Sequence, residues 1–158
     1  YDEFPEGGFR KVLELNVTAL FFLTRDLTPL LTITASADDP ARVINIGSMD
    51  GLHVPTVLQT GTFPYSASKA AVHHMTRVLA KRLAPAVTVN AVAPGPFESK
   101  MMEATLERFR DSIVQGVPMG RIGEPEDMAG VAIYLASRAG AYLTGSVIPV
   151  DGGMATTG

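Results

Sequence analysis

Apolar residues recur at helical spacing along residues 9–31: Val12, Leu13, Val17, Leu20, Phe21, Leu27 and Leu31, with Thr24 in the same stripe. This i, i+3, i+4 recurrence predicts an amphipathic helix from about Phe9 to Leu31, after a short lead-in containing Pro5. A polar loop at 34–40 follows. Residues 42–48 are then apolar almost throughout, as in a strand covered on both faces, and end in Gly47-Ser48. A long loop at 49–64, with Gly51, Pro55, Gly61 and Pro64, leads to a second helical stripe. That stripe is Ala70, Ala71, Val72, Met75, Val78, Leu79 and Leu83, and it stops near Pro85. Residues 86–92 predict a second strand, ended by Pro94-Gly95-Pro96. Met101, Met102, Leu106, Phe109 and Ile113 predict a helix over 100–115. Glu124, Pro125, Glu126 and Asp127 suit the first turn of another helix, running through Ala136. A last strand at 146–150 runs into Asp151-Gly152-Gly153.

Strands that alternate with helices predict a parallel sheet in an α/β layered fold, here one domain over 1–158 with no repeat or linker. In such sheets ligands sit beyond the carboxyl ends of the strands. Ser48 ends one strand and Pro94-Gly95 the next, and the helix between them opens with Tyr65 and Lys69. A serine hydroxyl, a phenol and an ammonium are therefore expected at one crevice.

Composition narrows the partners. With 46% hydrophobic and 18% charged residues the chain is globular, and a formal charge of −3 gives no reason to expect nucleic acid or an anionic membrane. No apolar run approaches the ~20 residues that span a bilayer. There is no cysteine, hence no disulfide and no thiolate metal site, and His53, His73 and His74 form no metal constellation. A cytoplasmic protein is expected.

Tyr65 and Lys69 are four apart and share one helix face. A free phenol titrates near pKa ~10, and a cation within ~4–6 Å favours its ionised form, so the pair can exchange a proton with a substrate oxygen. By itself the spacing also fits a surface aromatic beside a solvated lysine. Asn16 lies inside the first apolar stripe, as a helix-bridging amide or a water-binding relay residue. His53 is expected to face solvent rather than substrate. Ser48 as a hydrolase nucleophile fits poorly: residues 47–51 are not G-x-S-x-G, and no His ends a later strand.

In order and spacing, several pieces resemble the C-terminal part of a classical short-chain dehydrogenase/reductase. They are Leu15-Asn16-Val17, Ile46-Gly47-Ser48, Tyr65 to Lys69 with Ala70-Ala71, and Val89 to Gly95. Arg121 to Asp127, Leu143-Thr144-Gly145 and Asp151-Gly152-Gly153 continue the series. The resemblance covers nearly the whole chain. It implies part of a Rossmann-like doubly wound sheet and hydride exchange between a nicotinamide cofactor and a carbonyl or secondary alcohol. It implies roles as well: Tyr65 as general acid/base, Ser48 as the hydroxyl on the substrate carbonyl, and Asn16 on a relay water. Lys69 is implied as the residue that lowers the tyrosine pKa and holds the nicotinamide ribose. Pro94, Gly95 and Phe97 match the lining of the nicotinamide pocket. Ser99 keeps a hydroxyl where the family more often has Thr. Asn90 and Asp151 match structural positions. Residues 41–48 and 94–101 are most similar to NADPH-dependent 3-oxoacyl reductases of the rhamnolipid-biosynthesis type, so NADP(H) is expected ahead of NAD(H).

Two departures stand out. The interval from Ser48 to Tyr65 exceeds the family's commonest spacing, so residues 49–64 are expected to build a distinct wall of the substrate pocket. No G-x-G-x-x-G-like cluster follows a strand, so the nucleotide-binding half of a Rossmann fold is expected to be missing, with strand 42–47 at an open edge. On that expectation the chain alone binds dinucleotide poorly. The alternative reading is a catalytically silent fragment kept for association. Either way a homo-oligomer, dimer or tetramer, is expected through helices 9–31 and 65–84, whose small residues include Ala67, Ala70 and Ala71.

Overall fold

The computed structural model describes residues 3–54 and 61–157. Residues 55–60, the middle of the expected pocket wall at 49–64, lie outside it. The first helical stripe starts earlier than its apolar pattern, as α1 (Glu6–Leu13), and continues through a π-turn (Glu14–Thr18) into α2 (Ala19–Leu31). There the Ala19 N–H donates to the Glu14 carbonyl five residues back, so the helix widens by one residue around Asn16. The periodicity of Val12, Val17 and Leu20 reads equally well as an unbroken α-helix, so the sequence did not signal this turn.

Strands β1 (Ala41–Ile46), β2 (Val87–Pro94) and β3 (Val147–Val150) form a parallel sheet in the order β1-β2-β3. Ala41 pairs with Val87 and Ile46 with Val92; Ala91 pairs with Val147 and Pro94 with Val150. Among the described residues β1 is an edge strand, and its last residue, Ile46, is 54% exposed. β2 is central and almost entirely buried, as its continuous apolar run requires.

Helix α3 (Phe63–Leu83) covers one face of the sheet, packing Leu79 and Ala80 on Val87 and Val89. Asn45 Nδ2 on the same face donates to Thr76 Oγ1 at 2.9 Å. Residues of opposite parity face the other way: Arg42 donates to the Ser137 carbonyl, just past α5 (Pro125–Ala136). Glu124 and Asp127 close a capping box on α5, and Arg121 holds the Asp127 carboxyl down at about 2. Helix α4 (Glu103–Gln115) is shorter at its start than expected. Because β1, α3 and β2 follow one another, the carboxyl ends of β1 and β2 and the start of α3 meet at one edge. No helix is long and apolar enough to cross a membrane among the described residues.

Candidate active site

β1 ends at Ile46, and the chain turns through Gly47 and Ser48 into a short 3-10 helix (Met49–Gly51). Gly47 N–H remains tied to the Val92 carbonyl at 2.7 Å, which fixes the start of the turn against β2. Ser48 is buried and its Oγ accepts the Asp50 N–H at 3.2 Å. Its hydroxyl also hydrogen-bonds Tyr65, half-buried in the first turn of α3. The two hydroxyls thus come together from opposite sides of the 49–64 interval.

They open onto a cavity of about 580 Å³. One wall is Pro94, Gly95, Pro96, Phe97 and Ser99, the segment leaving β2. Met101, Met102, Thr105 and Ile113 form the next side, with Met49, Met154, Val12 and Phe4 completing a largely apolar lining. The other six of the eight expected residues divide by position. Pro94, Gly95, Phe97 and Ser99 line the cavity with Ser48 and Tyr65; Asn16 and Lys69 stand behind it. Ser99 is exposed, and its Oγ accepts the Met102 N–H at 3.2 Å. Gly123 admits Phe97: a Cβ there would lie 2.5 Å from the ring.

Asn16 Nδ2 donates to Ser68 Oγ at 2.9 Å, and Ser68 Oγ donates to the Tyr65 carbonyl at 2.7 Å. The π-turn thereby reaches the backbone of the tyrosine, and the helix-bridging reading of the amide describes its nitrogen. Lys69 Nζ donates to the Ile46 carbonyl at 2.8 Å and lies 5.5 Å from the Tyr65 ring centroid. The expected lowering of the tyrosine pKa by Lys69 is not what governs this geometry. Burial pushes the Tyr65 phenol up, the Ser48 hydrogen bond pulls it down, and the charge of Asp50 pushes it up again. Burial lowers Lys69 as well. Asn90 and Asp151 are structural, as expected: Asn90 bridges Leu143 and Ser146, and Asp151 accepts from Gly153 and Ala155.

Asp50 was missed by the sequence reading. It faces the cavity beside the two hydroxyls, and burial raises its carboxyl while His53 pulls it down. Its position two residues after Ser48 was the only signal. His53 is half-buried, not solvent-facing, with Nδ1 2.6 Å from the Val54 carbonyl, and it does not line the cavity. Among the described residues no three His, Asp or Glu side chains cluster to hold a metal ion. Ser48 has no histidine on its hydroxyl; His73 Nε2 instead takes the Ser48 backbone N–H, which removes the hydrolase arrangement.

An Asp50→Asn variant isolates the carboxylate. Removing its negative charge leaves the phenolate less opposed, so Tyr65 should ionise at lower pH than in the parent. Ultraviolet difference titration against Tyr65→Phe reads this phenol alone, and an unmoved or raised transition would contradict the assigned geometry.

The family pattern described as enoyl-(acyl carrier protein) reductase matches residues 1–155. The chain is 46% identical over 155 residues to the rhamnolipids biosynthesis 3-oxoacyl-[acyl-carrier-protein] reductase of Pseudomonas aeruginosa, covering 96% of this chain and 59% of that protein. It is similar to the solved Pseudomonas aeruginosa RhlG/NADP active-site complex, with TM-score 0.89 and 45% identity over 97% of this chain and 60% of that one. A gluconate 5-dehydrogenase from Burkholderia cenocepacia, in complex with NADP and tartrate, matches with TM-score 0.87 and 28% identity, over 99% of this chain and 60% of that one. The chain thus spans about three fifths of the length of these relatives.

Proposed function

Since the chain belongs to the short-chain dehydrogenase/reductase family, we propose that the cleft at Ser48 and Tyr65 interconverts a carbonyl compound and its secondary alcohol. The observation that carries this reading is the pairing of the two hydroxyls at the mouth of one cavity. The nicotinamide end of a cofactor fits the residues present. Pro94, Gly95 and Phe97 offer a flat apolar wall, Ser99 a hydroxyl, and Lys69 an ammonium behind Tyr65. NADP(H) is proposed ahead of NAD(H), in line with the NADP complexes among the similar structures. When bound, the nicotinamide supplies or accepts the hydride.

The chain's own residues handle the oxygen. Ser48 Oγ already accepts from Asp50, so its proton is directed outward, toward Tyr65 or a substrate carbonyl oxygen. A donor held there stabilises the negative charge that develops on that oxygen. Tyr65 gives its proton to the oxygen during reduction and takes it back during oxidation. The Asn16–Ser68 link holds the Tyr65 backbone in place. For a relay water Asn16 offers its side-chain Oδ1 and the second Nδ2 hydrogen, the first being donated to Ser68.

For the substrate we propose a 3-oxoacyl group, supported by the apolar lining of Met49, Met101, Met102, Met154 and Phe97 and by the named relatives. The test is spectrophotometric: oxidation of NADPH by a 3-oxoacyl thioester, together with a nicotinamide fluorescence titration. Saturable turnover supports the reading; neither a fluorescence change nor turnover would leave association as the role.

That second reading has its own observation. Phe22, Leu23, Leu27 and Leu30 on α2 are 41–65% exposed, and Val78 on α3 is 54% exposed. Such a row is more apolar than a free surface helix needs, and a second copy of the chain would cover it. We therefore also propose a homo-oligomer built on α1, α2 and α3, and a cytoplasmic protein. Light scattering at micromolar concentration should give at least twice the chain's 16.8 kDa; a monomer would contradict the assembly.

A further inference from the structure

Tyr65, Lys69 and His73 follow one another at four-residue intervals on α3, so they share the face that looks toward the turn 47–51. The first two belong to the site; the third has no role in it so far. His73 is 2% exposed, and its Nε2 accepts the Ser48 backbone N–H at 3.4 Å. Two glycines make room for the ring. A Cβ at Gly47 would overlap Nε2 and lie 2.7 Å from Cδ2, and one at Gly51 would lie 2.8 Å from Cε1. A side chain at Gly47 would displace the imidazole from under the serine, and one at Gly51 would meet the α3 backbone at Lys69 and Ala70 as well as the ring.

A histidine here is costly. Because Nε2 accepts, the neutral ring carries its proton on Nδ1. That atom is buried and makes no hydrogen bond of ordinary geometry; the Gly51 carbonyl lies near enough to the ring to favour its charged form without closing such a bond. Leaving a buried polar atom unpaired costs stability that a Leu or Met of similar size would not. Burial keeps the ring neutral by lowering its pKa, with the Gly51 carbonyl pulling the other way and Arg77 and Lys69 adding to the lowering. The accepting nitrogen is thus preserved at neutral pH.

We infer that His73 is a positioning residue: its imidazole, seated between Gly47 and Gly51, holds the Ser48 amide and so fixes where the Ser48 hydroxyl points. This rests on the carbonyl-reducing role given to Ser48 above. Rotation of the 47–51 turn would carry Ser48 Oγ away from both Asp50 N–H and Tyr65. The backbone hydrogen bond from Gly47 to Val92 anchors the turn on the sheet side. His73 anchors it on the helix side, 25 residues further along the chain.

The test compares His73→Gln, whose Oε1 can accept near the Nε2 position, with His73→Met, which keeps volume without an acceptor. On the full chain, His73→Met should lower kcat for NADPH-dependent reduction of a 3-oxoacyl thioester about tenfold, with little change in KM for NADPH. His73→Gln should recover most of it. Two spectra give a readout independent of activity. In the parent, the ¹⁵N signals of His73 should show the proton on Nδ1, and the Ser48 amide proton should shift upfield in His73→Met. Equal activity in parent and His73→Met, or equal losses in both variants, would overturn the inference. So would a proton found on Nε2 of the parent, which remains decisive if His73→Met does not fold. A parent without turnover but with the expected tautomer and Ser48 shift would remove the proposed reaction and leave the His73–Ser48 contact standing.

Discussion

Tyr65→Phe should reduce turnover by about a thousandfold, within the range that a positioned acid–base group contributes. The variant loses one oxygen and nothing else. The ring keeps its place in the first turn of α3, and the Asn16–Ser68 link to the Tyr65 carbonyl is untouched because it involves backbone. Losing the Ser48–Tyr65 hydrogen bond should cost about 1 kcal/mol of stability, so the melting temperature should move by only a few degrees. Cofactor affinity, read by nicotinamide fluorescence, should fall little beside the loss in kcat. Near-parental turnover would remove Tyr65 from the acid–base role and leave the cavity without an identified proton donor other than Ser48.

Gly95→Ala should damage stability and cofactor binding together. Gly95 closes the end of β2 against β3: its N–H donates to the Val150 carbonyl at 2.9 Å. A Cβ there would lie 2.6 Å from both Cα and Cβ of Asp151. Neither atom is the movable end of a flexible side chain, so the strand ends would have to separate by roughly 1 Å to restore ordinary contact. Overpacking of this kind costs about 1–3 kcal/mol, and the upper part of that range is expected because backbone must move. Pro94 and Phe97 would move with it, since they share the segment that walls the cavity. Urea unfolding should show the loss in stability and the fluorescence titration a weaker complex. An unchanged unfolding midpoint would mean the β2–β3 junction is looser than this packing.

Much of the site was legible before any coordinates. Tyr65 and Lys69 were readable because a four-residue interval on a helix has one geometric meaning. Ser48 and Gly95 were readable because strand ends in parallel sheets gather at one edge. Strand and helix limits were displaced by a few residues at most, as with α1 beginning at Glu6, since helix ends depend on caps and packing more than on the apolar stripe. The edge position of β1, expected from the resemblance to a longer sheet, is observed among the described residues.

What the sequence determined by itself, then, was set by local periodicity: alternating strands and helices, the shared face of Tyr65 and Lys69, and the edge where Ser48 and Pro94 meet. The tertiary structure alone decided the pairings made across long intervals. Lys69 reaches the Ile46 carbonyl, 23 residues back, and that contact carries no mark in either residue type. Asn16 finds Ser68 across 52 residues because the first helix widens into a π-turn beside α3. Asp50 becomes a cavity wall, and His73 a support for Ser48, only once β1 is laid against α3 in one register. A hydrogen bond depends on distances of a few tenths of an ångström, which sheet register and helix packing set and which no spacing along the chain encodes.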